Sequence, residues 1–202
     1  MFNSFTNFLH ALALFIYAGL TYRGLEAGRP HYTWSIFWCF ALIFFLKVIG
    51  ILVHLPAIEH HKARHDFFWV WIAVGLQALN TVTLMALDLN YTVVATGSIV
   101  SLVFVVIFLR SLRGPGYFGY LALATVIVYL LAAVFTRSDL RLAWICVVIS
   151  SALWIVLARV PFLLKYKFHN DIYHFALIAS TYYLYTTVGS GLWEGNRLLW
   201  LW

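Results

Sequence analysis

Residues 32–55 read YTWSIFWCFALIFFLKVIGILVHL, and this stretch decides the class of the fold. A helix that crosses the hydrocarbon core of a bilayer needs about 20 mostly apolar residues. The stretch is longer than that, and Lys47 is its only Lys, Arg, Asp or Glu. It therefore predicts a membrane-spanning helix with one buried cation.

Six further stretches are apolar over a comparable length, which predicts an all-α polytopic membrane protein built as a seven-transmembrane helix bundle. The composition agrees, because 64% of the 202 residues are hydrophobic and only 10% are charged. A soluble domain carries about 25% charged residues. We expect the first run to be a retained helix, since no signal-peptide pattern precedes it. The single domain 1–202 has predicted spans at about 5–22, 32–55, 67–87, 91–112, 117–136, 140–162 and 172–193.

The formal charge of +6 is explained by loop-end Lys and Arg and does not indicate a nucleic-acid partner. We call the side of the membrane that holds the N-terminus the N-terminal side. Seven Lys and Arg are expected there and five on the opposite side, so the N-terminus is predicted to be cytoplasmic. The seven are Lys62, Arg64, Arg110, Arg113, Arg159, Lys165 and Lys167.

Histidines concentrate on that same side, where histidine often ligates a metal, holds a haem or transfers a proton. His60, His61 and His65 are most simply solvated loop residues, although His61 and His65 have an i, i+4 spacing that can hold a metal. The opposite side has only His31. The seven on the N-terminal side are His10, His54, His60, His61, His65, His169 and His174.

His10, His54 and His174 differ from the others because each lies in or at the edge of an apolar span. Polar groups at that depth face the bundle interior and need partners. A structural hydrogen bond explains any one of them, but three at similar depth favour a joint site. Lys47 lies seven residues before His54 on the same helix face. Its burial predicts either a hydrated pocket or an internal ion pair, because an unpaired lysine costs about 3 kcal/mol or more.

Two short motifs resemble the CREST superfamily, which contains alkaline ceramidases and progestin and adipoQ receptors. The segment from Gly50 to His54, followed by Asp66, resembles the family's Ser, His and Asp signature of the second and third spans. The segment Asn170-Asp171-Ile-Tyr-His174 resembles its seventh-span motif. The resemblance covers about 40 residues, and its seven spans match the predicted count.

The resemblance implies a zinc ion held by His54 and His174, with zinc-bound hydroxide attacking a lipid amide and Asp66 orienting or deprotonating the water. The chain departs from the pattern at two positions, since Gly50 replaces a Ser and Asn170 replaces a His of the ceramidases. A catalytic zinc normally has three protein ligands. The third would come from the following residues: His10, His65, Asp66 or Asp171.

Three functions therefore stay open. The first is a zinc-dependent hydrolase of lipid amides or acyl lipids, with Asn170, Asp171, His65 and Lys47 as additional site residues. The second is a b-type haem or quinone-linked subunit, in which imidazoles from two spans hold the iron. The third is a non-catalytic transporter or accessory subunit of a membrane complex. Its proton or solute path would use Lys47, Gln77, Asn80 and the histidine cluster. The expected partners are membrane lipids, a lipid substrate and other membrane subunits.

Overall fold

The computed structural model describes residues 2–87, 89–112, 119–136, 138–157, 159–166 and 168–190. Within these ranges the secondary structure is helical and contains no strand, which confirms the all-α class. The described ranges contain seven long helices and two short ones. They are α1 (Phe2–Glu26), α2 (Trp34–Val53), α3 (Pro56–Glu59), α4 (Lys62–Ala86), α5 (Tyr91–Ser111), α6 (Gly119–Phe135), α7 (Ser138–Leu157), α8 (Pro161–Lys165) and α9 (Phe168–Gly189).

Four described helices are long and apolar enough to cross a membrane: α1 from Phe5 onward, α2, α4 and α5. Two shorter apolar segments lie in α6 and α7. Large apolar side chains point outward from these helices, and Phe15, Trp34 and Val134 are each about 60% exposed. An apolar outer surface of this kind is typical of a chain solvated by lipid.

Two predicted boundaries differ from the observed ones by five residues. The sixth span was expected to reach residue 162, but α7 ends at Leu157 and a separate helix begins at Pro161. Proline lacks the N–H that would continue the helix and disfavours helical geometry in the preceding residue. The third span was expected from residue 67, whereas α4 begins at Lys62. His65 and Asp66 are therefore helical, not loop residues. The predicted end of the last span, 191–193, lies outside the described residues.

The seven long helices form a closed ring in the order α1, α2, α4, α5, α6, α7, α9, and α9 contacts α1. Neighbours in the chain are antiparallel, as the short connections predicted. In α2 and α4, for example, Leu46 meets Gly75 while Cys39 meets Thr83. The closing pair α1 and α9 is parallel, because Thr6 bonds His174 and Tyr17 stacks on Tyr185 further along both helices.

Small residues bring α4 and α5 close together. A Cβ atom added at Gly97 would lie 2.7 Å from Leu84 Cδ1, and Leu84 is completely buried. Nearby, Asn80 Nδ2 donates to Ser101 Oγ at 2.8 Å, and that hydroxyl donates to Gln77 Oε1 at 2.8 Å. Small residues and interhelical hydrogen bonds are the usual means of helix association in a bilayer.

We expect Gly97→Val to destabilise the bundle by about 1–3 kcal/mol, because the new methyl groups overpack against a side chain that has no free space. Thermal unfolding in a mild detergent would measure the loss. Gly19→Val is the matched control, since a Cβ at Gly19 meets no atom within 4 Å. Equal unfolding temperatures for the two variants would contradict the packing described for α4 and α5.

Candidate functional site

A cavity of about 440 Å³ lies within the helix ring, bordered by α1, α2, α4, α6, α7 and α9. Its volume is in the range of small-molecule sites, about 300–1,000 Å³. The lining residues of α2 extend from Cys39 to His54, and those of α9 from His169 to Leu184. Each of these runs corresponds to about 22 Å along a helix axis. The cavity is therefore long, and it follows most of the length of both helices.

The two ends of this cavity have different chemistry. The end far from His54 is mainly apolar, and both of its threonine hydroxyls are engaged: Thr125 Oγ1 donates to Leu121 O at 3.1 Å, and Thr83 pairs with Cys39 Sγ at 3.8 Å. The apolar wall there includes Phe40, Ile43, Leu76, Leu79, Val147 and Leu184. The polar groups concentrate toward the other end, and they include Asn7, His10, Lys47, His54, Tyr173 and His174.

His174 belongs to a chain of hydrogen bonds that begins at Asp171. Thr6 Oγ1 donates to Asp171 Oδ1 at 2.9 Å and lies 2.9 Å from His174 Nδ1. A hydroxyl has one hydrogen and a carboxylate only accepts, so His174 Nδ1–H must donate to Thr6. The lone pair of the neutral ring is then on Nε2. Asp171 lies in the first turn of α9, where the helix dipole stabilises its negative charge.

His10 is held in the opposite tautomer by a second threonine. Thr181 Oγ1 donates to Leu177 O at 2.7 Å, and His10 Nε2 lies 3.3 Å from the same oxygen. His10 Nε2–H is therefore the donor, which leaves the lone pair on Nδ1. His10 is 0% exposed, and its Nδ1 has no hydrogen-bond partner among the described residues. Both rings border the cavity, and each presents one nitrogen acceptor.

Lys47 supplies the cation of this site. Its Nζ lies 5.2 Å from the centroid of the Tyr173 ring, within the range of a cation–π contact. Lys47 is six residues from the end of α2 at Val53, or about 9 Å along the axis. Among the described side chains no carboxylate lies within 4 Å of Nζ. The predicted hydrated pocket is thus matched by a cavity, and the alternative ion pair is not seen among those side chains.

The three histidines predicted to share a site all border this cavity. His54 caps the C-terminal end of α2, one turn beyond Gly50, and a Cβ atom added at Gly50 would lie 3.6 Å from Asn7 Oδ1. The histidines do not form a preassembled zinc centre. Within the described residues no three His, Cys, Asp or Glu side chains are grouped closely enough to hold a metal ion. The Lys47 ammonium also opposes a second cation in the same cavity.

The remaining predicted residues lie at the mouth of the cavity or outside it. His65 Nε2 accepts from Trp69 Nε1 at 3.0 Å, and both residues line the cavity. Asn170 also lines it, and its Oδ1 accepts from Trp154 Nε1 at 2.8 Å. Asp66 is not a lining residue. It pairs with Lys62 at 2.7 Å on the exposed start of α4, and His65 Nδ1 lies 3.8 Å away.

Sequence reasoning missed Thr6, Asn7 and Tyr173. The first two could have been found, because Thr6, Asn7 and His10 form a polar stripe on one face of an otherwise apolar helix. Tyr173 carries no such signal, since its contact with Lys47 depends on how α2 and α9 approach each other across the cavity.

Comparison with known proteins adds no family to this picture. No family model, no curated protein and no solved structure matches the chain.

We expect nitrogen-15 NMR of histidine-labelled protein in bilayers, at mildly alkaline pH, to show His174 protonated on Nδ1 and His10 on Nε2. Thr6→Val should remove the preference at His174 and leave His10 unchanged, and Thr181→Val should do the converse. Each valine keeps the shape of the threonine but removes the hydroxyl. A common tautomer for both rings would refute the proposed hydrogen-bond directions.

Proposed function

We propose that this chain is a seven-span integral membrane protein with its N-terminus in the cytoplasm. Seven helices of 17 residues or more support the count. The parallel packing of α1 and α9 also supports it, because the first and last of an odd number of antiparallel crossings point the same way. The excess of Lys and Arg on the N-terminal side supports the orientation.

We further propose that the cavity binds an acyl lipid and hydrolyses its amide or ester bond. The observation that carries this proposal is the Asp171–Thr6–His174 chain, which ends at a long, largely apolar cavity. A carboxylate that holds an imidazole in place through a hydroxyl orients the ring, as in the arrangement of a general base. The apolar end suits an alkyl chain, and the polar end suits the bond to be cleaved.

The protons and bonds of the proposed reaction can be accounted for with these residues and one water molecule. Water attacks the carbonyl carbon while His174 Nε2 takes one of its protons. The oxyanion that forms is stabilised by the Lys47 ammonium, which acts in a cavity of low dielectric constant. When the tetrahedral intermediate collapses, the carbon–nitrogen or carbon–oxygen bond breaks and His174 returns the proton to the amine or alcohol. In this mechanism Thr6 and Asp171 are positioning residues, and Asp66 takes no part.

The zinc-dependent form of the same reaction is the competing proposal, and the CREST resemblance of His54, Asp66 and His174 supports it. The open Nε2 of His174 would suit a metal, and the Thr6–Asp171 chain behind it resembles the hydrogen bonding behind many metal-bound histidines. The donor set does not fit a three-ligand zinc site, because the described residues bring no three candidate ligands together. We therefore derive no step through a metal.

The other two functions are less well supported by the geometry. A solute path through Lys47, Gln77 and Asn80 is disfavoured, because Gln77 and Asn80 bond to α5 and do not line the cavity. A b-type haem stays a prediction that an absorption spectrum tests. Membrane lipids and further membrane subunits remain the proposed partners, supported by the apolar outer surface.

We expect purified protein to hydrolyse single-chain N-acyl amides or acyl esters, and His174→Ala to lower the rate by about 100-fold or more. Thr6→Val should lower it by about tenfold, because the base loses its orientation. Release of the fatty acid from a labelled substrate panel would measure both. His60→Ala is the control, since His60 is exposed in the loop before α4. Unchanged turnover in His174→Ala would exclude His174 as the base.

We expect activity to survive dialysis against a strong chelator, with zinc well below one ion per chain by elemental analysis. One zinc per chain, lost in a His54→Ala, His174→Ala double variant, would overturn the metal-free mechanism and favour the zinc proposal. A Soret band in the same sample would move the assignment to haem.

A further inference from the structure

Lys47 has no carboxylate partner among the described side chains. The carboxylates with described side chains are Glu26, Asp66 and Asp171. Asp66 pairs with Lys62, Asp171 accepts from Thr6, and Glu26 is exposed at the end of α1. None of them lies within 4 Å of Lys47 Nζ, which lies instead over the face of the Tyr173 ring.

A buried cation without an anionic partner is costly, and a ligand of opposite charge removes that cost. The neighbouring groups do not replace such a partner. His10 and His174 present nitrogen lone pairs, and the Tyr173 ring presents only its π face. In natural proteins an ionisable residue inside a membrane commonly marks a ligand or ion pathway.

We propose that the cavity binds a single-chain amphiphile with an anionic head group. Lys47, whose Nζ lies over the Tyr173 ring, is the residue that selects ligands by the charge of the head group. A carboxylate or a phosphate oxygen accepts from Lys47 Nζ. This inference rests on the proposed function only in that both use the same cavity, because a ligand can bind there without being hydrolysed.

The cavity also limits the chain length of this ligand. From Lys47 to Cys39 the lining of α2 covers about 12 Å, and from His174 to Leu184 the lining of α9 covers about 15 Å. An all-trans alkyl chain advances about 1.3 Å per carbon, given C–C bonds of about 1.5 Å. The apolar end therefore accommodates about 9–12 carbons, and a longer chain would have to extend out of the helix ring between two helices.

The test compares four ligands that share a dodecyl chain and differ in the head group. Radiolabelled dodecanoate is bound to the full chain in nanodiscs, with empty nanodiscs as background, and is displaced by unlabelled competitors. We expect dodecanoate and dodecyl phosphate to compete about tenfold better than dodecanol or dodecyltrimethylammonium. Whichever anion binds tighter identifies a fatty acid or a phosphate lipid as the source of the head group.

Two substitutions assign this charge selection to one residue. Lys47→Met should weaken dodecanoate binding to the level of dodecanol, while Lys47→Arg keeps the preference for anions. Lys62→Met is the control, because Lys62 lies on the exposed start of α4. Equal competition by dodecanol and dodecanoate in the unmodified protein would overturn the proposal, and this comparison does not depend on how any variant folds.

The outcomes separate this inference from the proposed hydrolysis. A protein that binds dodecanoate through Lys47 but cleaves no acyl lipid supports the anionic site and excludes the hydrolase. A protein that cleaves neutral acyl amides but shows no preference for anions supports the hydrolase and excludes the anionic site.

Discussion

Hydrogen bonds between α1 and α9 close the helix ring, and the cavity exists because the ring is closed. Thr6 and His10 of α1 pair with His174 and Thr181 of α9, and all four side chains are buried. In an apolar interior an unpaired imidazole or hydroxyl costs far more than it does in water, so these pairs fix which faces of the two helices meet. The same pairs fix the tautomers of the two rings. Fold and candidate chemistry thus depend on one set of contacts.

The polar residues within the bundle fall into two groups, those that join helices and those that line the cavity. Gln77, Asn80 and Ser101 bond to one another between α4 and α5, and Ser150 bonds Ser180 between α7 and α9. These groups hold helices together and need no ligand to explain them. Lys47 lines the cavity and has no carboxylate partner among the described side chains. Because an ionisable group without such a partner is expensive at membrane depth, Lys47 indicates function.

Much of the fold follows from hydropathy, because apolar stretches of about 20 residues have few alternatives to a spanning helix. The boundaries are less predictable. The start of α4 at Lys62 was missed because its first turn is polar, and the end of α7 was missed because apolar residues continue toward Pro161. The gathering of His10, His54 and His174 at one cavity was anticipated from their matched depth. The contacts of Thr6 and Tyr173 were not, since hydrophobic periodicity does not encode which helices become neighbours around a ring.

Lys47 distinguishes between the candidate reactions better than the histidines do. A zinc ligand and a general base both use the Nε2 lone pair of His174, so the Asp171–Thr6–His174 chain is compatible with either role. A neighbouring ammonium distinguishes between them, because it repels a divalent cation but stabilises an oxyanion or a bound carboxylate. An ammonium group at Lys47 would stabilise the negative charge that develops on a substrate carbonyl oxygen. It would also stabilise the carboxylate of an acyl product. The same cation thus connects the proposed hydrolysis with the proposed selection of anionic ligands.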